Sequence, residues 1–194
     1  MKQSQQTSKT TTFEALLGIL SMGPMTGYEI RQRIEISIGN FWSESFGQIY
    51  PALNKLRAQG LVDATEAGKK GRKVYSLTPL GRERLREWLG VMPQASKPRN
   101  EMLLKLFFGG QSDLESVRAQ VLATRARYAS DFERYIALEP MLNQRQGGNP
   151  GLPYFQMTLN YGIAEARAII AWADQTLGSL DEIAATSTQQ KEKP

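Results

Sequence analysis

Hydrophobic residues recur at intervals of three and four along most of the chain, the spacing that gives a helix one buried face. From Thr12 to Ser21 they are Phe13, Leu16, Leu17 and Leu20, and Gly23-Pro24 closes the segment. Thr26-x-x-Glu29 fits a capping box, in which the threonine oxygen and the glutamate satisfy backbone groups that a first turn leaves free. It opens a second helix with Tyr28, Ile30, Ile34 and Ile38 facing inward, followed by a turn at Gly39 to Trp42 whose two aromatics pack against helices. A third helix is placed from about Gly47. Ser45-x-x-Gln48 is a further possible box, and Pro51 is held to the early turns, where a missing N–H is tolerated. At 100° per residue Ile49, Leu53 and Leu56 form its buried stripe, with Ala52 beside them. Gln48, Pro51, Asn54, Lys55 and Ala58 point the other way, Tyr50 and Arg57 fall on the boundary, and Gly60 suits a left-handed C′ position.

The pattern then shortens. Leu61 to Thr65 and Arg72 to Leu77 are strand candidates joined by a loop with two glycines, and Lys69, Lys70, Arg72 and Lys73 crowd its tip and far side. Thr78-Pro79 reads as N-cap and N1 of a fourth helix running to about Leu89. In that helix Arg82, Arg84 and Arg86 alternate with Glu83 and Glu87 as a solvated, ion-paired face. Two short helices, a third helix and a ribbon with a cationic tip make a winged helix-turn-helix with a two-stranded β wing, over residues 12–91.

Past a linker with Pro93 and Pro98 the chain returns to helix. Residues 101–109 form a brief apolar helix, and Ser112-x-x-Glu115 caps a long one to about Leu138 that turns Leu114, Val117, Val121, Tyr128, Phe132 and Tyr135 inward. A Gly/Pro cluster precedes a last helix, about Tyr154 to Leu180, with two apolar series. One is Tyr154, Met157, Tyr161, Ala164, Ala168 and Trp172; the other is Phe155, Leu159, Ile163, Ala166, Ile170, Ala173 and Leu177. A helix apolar on nearly all sides must be covered on nearly all sides, and in so small a module a second copy is the simplest cover. Residues 101–180 are therefore expected to be an α-helical dimerisation domain in which Tyr154, Phe155, Leu159, Tyr161, Ile163, Ile170 and Trp172 meet the partner. Residues 1–11 and 181–194 are expected to be flexible ends, and the fold class is mainly α.

Composition narrows the function. The 194 residues contain neither cysteine nor histidine. Ser-His and Cys-His catalysis, disulfides and most zinc or transition-metal sites are excluded with them. Carboxylate and lysine chemistry stays open, but Glu133 and Glu139 have no accompanying constellation and there is no phosphate loop or metal spacing, so no catalytic residue, metal or cofactor is expected. Apolar runs are far shorter than the roughly 20 residues of a membrane-spanning helix, and the N-terminus has no apolar stretch to serve as a signal peptide, so the expected location is the cytoplasm. The net charge of +5 is unevenly spread. Residues 1–92 hold thirteen Lys and Arg against eight acids, whereas residues 93–194 are balanced. The excess lies in the half that carries the helix-and-wing segment, which makes double-stranded DNA the first partner to consider.

In such a motif the third helix enters the major groove while neighbouring elements hold phosphates. Gln48 and Asn54 can bond base edges, Lys55 can reach guanine or phosphate, and Tyr50 on the flank can donate to a phosphate. Lys69, Lys70, Arg72 and Lys73 would lie along the backbone and supply affinity and salt dependence more than sequence choice. Plainer roles exist beside these: Gln48 as a capping partner, Tyr50 as a core-edge aromatic, the wing cations as a solvated tip.

Particular strings resemble a known family. Leu16-Leu-Gly-Ile-Leu20, Gly23-Pro-Met-Thr-Gly-Tyr-Glu-Ile30, Ile49-Tyr-Pro-Ala-Leu-Asn-Lys-Leu56, Gly71-Arg-Lys-Val-Tyr75 and Leu77-Thr-Pro-Leu-Gly81 are similar to the PadR family of bacterial transcriptional regulators. The resemblance covers about residues 12–90. Beyond the linker it rests on element order and looks like the larger subfamily with a virulence-activator-type C-terminal dimerisation domain. It implies that Tyr50 matches a phosphate-contacting tyrosine, that Gln48, Asn54 and Lys55 occupy recognition-helix positions, and that Lys69 to Lys73 form the wing. It also implies a homodimeric repressor on a pseudo-palindromic operator. Two other readings stand beside this one. In the first, a small aromatic effector binds among Tyr154, Phe155, Tyr161 and Trp172, or near Trp42 and Trp88; in the second, the winged helix is a protein-interaction adaptor that does not bind DNA.

Overall fold

The computed structural model describes residues 2–39, 41–42, 46–67, 72–93, 99–143 and 150–191. Ser45, Lys69 and Lys70 lie outside these residues. The chain divides into two compact units, residues 1–95 and 96–194.

The first unit runs α1 (Lys2–Leu20), β1 (Met25–Thr26), α2 (Gly27–Ser37), α3 (Phe46–Ala58), β2 (Val62–Ala67), β3 (Arg72–Leu77) and α4 (Pro79–Leu89). Four helices and one face of the sheet meet in a single core, built on Leu16, Leu17 and Leu20 of α1, Ile30 and Ile34 of α2, Ile49, Leu53 and Leu56 of α3, and Leu85 of α4. Burying each such side chain contributes about 1.5–3 kcal/mol. The ribbon expected from the sequence is β2 paired antiparallel with β3, Val62 opposite Leu77. It gains a third strand: β1 pairs with the other edge of β3, Met25 opposite Tyr75. Two residues are too few to show a period-2 pattern, so this strand had no signature in the sequence.

Local signals set several boundaries. The Thr26–Glu29 capping box forms, with Thr26 N–H donating to Glu29 Oε2 at 2.7 Å and Glu29 N–H to Thr26 Oγ1 at 3.3 Å. Gly60 has φ 70°, and Leu61 N–H donates to Leu56 O while Gly60 N–H donates to Arg57 O, a Schellman ending for α3. Thr78 Oγ1 accepts from Gly81 N–H at 3.0 Å and donates to Gly60 O at 2.8 Å, joining the end of α3 to the start of α4. There Gly81 leaves no room for a side chain, because an added Cβ would lie 2.0 Å from the Leu61 carbonyl oxygen.

Other expectations are corrected. Tyr28 is exposed: the buried stripe of α2 is Gly27, Ile30 and Ile34, and Tyr28 sits some 200° from Ile30 around the helix. Phe41 is exposed as well. Helix α3 begins at Phe46, where its start was expected, and Pro51 lies inside the helix. The alternating charges of α4 are not only a solvated face. Arg84 reaches Glu14 of α1 at 2.9 Å, and Glu14 is buried with its second carboxylate oxygen unpartnered.

The second unit is α5 (Glu101–Phe107), a short 3-10 turn, and an antiparallel hairpin of α6 (Leu114–Asn143) and α7 (Leu152–Lys191). Asn100 caps α5 and Asp113 caps α6, Ser116 N–H donating to Asp113 Oδ1 at 2.7 Å in place of the expected Ser112 box. The hairpin core has one cluster of Val117, Val121, Ala173 and Leu180 and another of Tyr135, Ile163 and Ala166. Arg118 pairs with Asp181 and, seven residues on and seven back, Arg125 pairs with Asp174 at 2.5 Å. Arg125, which interrupts the apolar stripe of α6, is thus answered by an acid on α7. Both long helices outrun their expected limits, α6 past Pro140 to Asn143 and α7 to Lys191. Polar residues end an apolar pattern, but they do not by themselves end a helix. The same holds at the start of the chain, where α1 extends back to Lys2. No helix among the described residues is long and apolar enough to cross a membrane.

Candidate nucleic-acid interface

Helix α3 buries Ile49, Ala52, Leu53 and Leu56 and leaves Gln48, Tyr50, Asn54 and Lys55 exposed. Arg72 and Lys73, exposed at the start of β3, are brought to the same corner. A cleft of about 360 Å3 lies between these elements, lined by Thr26, Gly27 and Tyr28 at the start of α2, Tyr50 and Asn54 of α3, and Arg72, Lys73 and Tyr75 of β3. Sequence reasoning had placed Tyr50, Asn54, Arg72 and Lys73 here. It missed Gly27, Tyr28 and Tyr75, whose only trace was membership of the strings that carried the family resemblance. Gln48 and Lys55 are exposed on α3 but do not line the cleft.

Packing fixes the cleft. The Tyr50 ring lies against Gly27 so closely that a Cβ there would meet ring atoms and the hydroxyl at 2.5 to 2.8 Å. Tyr28 accepts a hydrogen bond from Gln32 Nε2 at 3.0 Å. Glu29 faces Thr26, whose backbone and side-chain bonds hold its carboxyl below the usual glutamate range, with Arg72 adding to the effect. Burial pushes the Tyr75 phenol above the usual tyrosine range, and the nearby Tyr50 pushes it further the same way.

The residues assigned to dimerisation divide between two faces of α7. Ile163 is buried, and Leu159 and Trp172 pack against the hairpin clusters, so α6 covers much of that face within one chain. Phe155 and Ile170 are half-buried. Tyr154 and Tyr161 are 68% and 63% exposed, with Met157 exposed between them, and on α5 Leu103, Leu104, Phe107 and Phe108 are also exposed.

Residues 16–87 match the transcriptional regulator PadR-like family, and residues 98–181 match the virulence activator alpha C-terminal family. The negative transcriptional regulator PadR of Bacillus subtilis is 25% identical over 176 residues, which is 87% of this chain and 96% of that protein. Its structure in complex with operator DNA superposes with a TM-score of 0.74 at 22% identity, covering 87% of this chain and 98% of that one. Its complex with p-coumaric acid gives 0.70 at 23%, covering 87% and 97%. The virulence activator AphA of Vibrio cholerae gives 0.71 at 28%, covering 89% of this chain and 99% of that one. With its helix-and-wing unit matched by one model and its helical hairpin by the other, the chain carries a PadR-like domain, of a family of transcriptional regulators and not of enzymes, followed by a virulence-activator-type C-terminal domain.

Proposed function

We propose that the protein is a homodimeric DNA-binding repressor that presents two copies of α3 to a pseudo-palindromic operator, about one helical turn (~34 Å) apart. The observation that carries this reading is the shared exposure of Gln48, Asn54 and Lys55 on α3 beside Arg72 and Lys73 of the wing. Gln48 and Asn54 offer the donor–acceptor pairs that match adenine, Lys55 matches guanine or phosphate, and Tyr50 with the wing cations, Lys69 and Lys70 included, supplies backbone contacts. Residues 12–91 bind DNA and residues 101–180 join the copies. The bare row of Tyr154, Met157 and Tyr161 is apolar surface left over after α6 has covered the opposite face, which supports a second chain as its partner. The operator complex of the Bacillus subtilis relative supports the same reading.

Footprinting on the gene's own upstream region tests it, with light scattering to give the mass in solution. Two protected half-sites about one turn apart and a dimer mass are expected. A monomer at micromolar concentration, or no binding to promoter DNA at low salt, overturns the reading; the second result would favour a protein-interaction adaptor.

The relative's complex with p-coumaric acid favours an added layer, in which a small aromatic effector releases the DNA. Tryptophan fluorescence titrated with phenolic acids, in the full chain and in Trp172→Phe, detects such binding.

A further inference from the structure

Tyr75 is 3% exposed and belongs to the core of the first unit, held in register between Met25 of β1 and Ala64 of β2. Its side chain nevertheless lines the cleft beside α3, and among the described residues its hydroxyl makes no hydrogen bond. The ring is buried, but the hydroxyl itself stays open to the cleft, where solvent or a ligand reaches it; a phenol at such a place usually has a polar partner. Phenylalanine would fill the same space with no polar atom to satisfy. With no partner among the described residues, the hydroxyl is free to take one from outside the chain.

The surroundings state what kind of partner fits. Arg72 and Lys73 supply positive charge at the cleft. The backbone N–H groups of Gly27 and Tyr28, in the first turn of α2, have no acceptor within their own helix. Tyr50 and Asn54 add side-chain donors from the other wall. The acidic group close by, the Glu29 carboxylate, is engaged by Thr26 and lies within electrostatic reach of Arg72. A phenol is protonated at neutral pH, and burial pushes Tyr75 further that way, so its hydroxyl can donate. Donors and cations converging where the nearby carboxylate is already engaged describe a site for an acceptor-only anion.

We propose that the cleft seats one backbone phosphodiester of bound DNA, and that the Tyr75 hydroxyl at its floor donates to a phosphate oxygen alongside Arg72 and the first turn of α2. This rests on the DNA-binding reading and deepens it. The seat adjoins the base-reading face of α3 and shares Asn54 with it; a phosphate held there fixes how the wing and α2 sit on the duplex and carries no sequence preference of its own.

The experiment measures affinity of the full chain for a fluorescent duplex from its own upstream region, for wild type, Tyr75→Phe and Arg72→Met. Tyr75→Phe is expected to keep its thermal stability, since no internal bond is lost, and to bind about tenfold more weakly, the effect of one hydrogen bond to a charged group. Its salt dependence should equal that of the wild type, because no charge is removed. Arg72→Met should instead flatten the log–log salt slope by about 0.9. Duplexes with single neutral methylphosphonates then locate the seat. At one position the wild type should lose affinity and Tyr75→Phe should lose little more. Wild-type affinity in Tyr75→Phe overturns the proposal. So does a loss that adds fully to every methylphosphonate substitution, which marks a purely structural tyrosine. A wild-type chain that binds no DNA at low salt overturns the regulator reading and the seat together, a result distinct from a bound wild type indifferent to Tyr75.

Discussion

Gly27→Ala offers a way to move Tyr50 without touching it. A Cβ at position 27 would lie 2.5 Å from one ring carbon of Tyr50 and 2.8 Å from another and from the hydroxyl. Carbon atoms rest at about 3.5–4.0 Å, so one side must give by about 1 Å. Gly27 cannot be the one to move, being buried in the first turn of α2 between the two residues of the Thr26–Glu29 box. Tyr50 is 54% exposed and can swing outward. Alanine is a better helix former than glycine, so the stability of the variant should stay within about 1 kcal/mol of wild type. Affinity for DNA should not. A displacement of about 1 Å is enough to lose a hydrogen bond, and one to a phosphate contributes about 1.5–3 kcal/mol, or roughly ten- to a hundredfold. Fluorescence anisotropy on the operator measures the loss, and Tyr50→Phe serves as the second arm of a double-mutant cycle. In the Tyr50→Phe background the added alanine should cost little. Wild-type affinity in Gly27→Ala, or full additivity with Tyr50→Phe, refutes the coupling.

Three further outcomes follow from packing and charge. Gly81→Ala forces a Cβ to 2.0 Å from the Leu61 carbonyl and should destabilise the chain by about 2–3 kcal/mol in urea unfolding. Gly18→Ala, with open space around the new methyl, should instead gain up to about 1 kcal/mol. Asp174 is held below the usual aspartate range by its hydrogen bond from Arg125, so its contribution to stability is present above the unfolded pKa of about 3.9 and fades as pH falls through the lower folded value. Asp174→Asn should therefore melt below wild type at neutral pH, and the gap should narrow as pH falls below about 3.9; a gap that does not narrow on acidification contradicts this.

What could be read from the sequence was mostly what is decided within a few residues. The Thr26–Glu29 box, the Thr78-Pro79 start and the Gly60 ending each depend on bonds to near neighbours, and each forms. The exposure of Gln48, Asn54 and Lys55 followed from helical angle alone. Contacts between distant segments left no such trace. Glu14 and Arg84 are seventy residues apart in sequence, and either could have been a surface charge. Tyr28 was misread because Ile30 and Ile34 suggested a stripe whose third member is Gly27, a residue with no side chain to announce its burial. On α7 two apolar series were visible, but only the hairpin register shows which one α6 uses.

The Glu14–Arg84 pair links the first helix of the DNA-binding unit to its last. The unit is in that sense a closed loop of chain: a fragment from β1 to α4 would contain every proposed DNA contact and still lack Leu16, Leu17, Ile19 and Leu20, a large part of the core. It would also leave Arg84 without its carboxylate. Binding activity is therefore not portable on a short helix-and-wing peptide, and a minimal active fragment has to begin before Glu14 and end after Arg84.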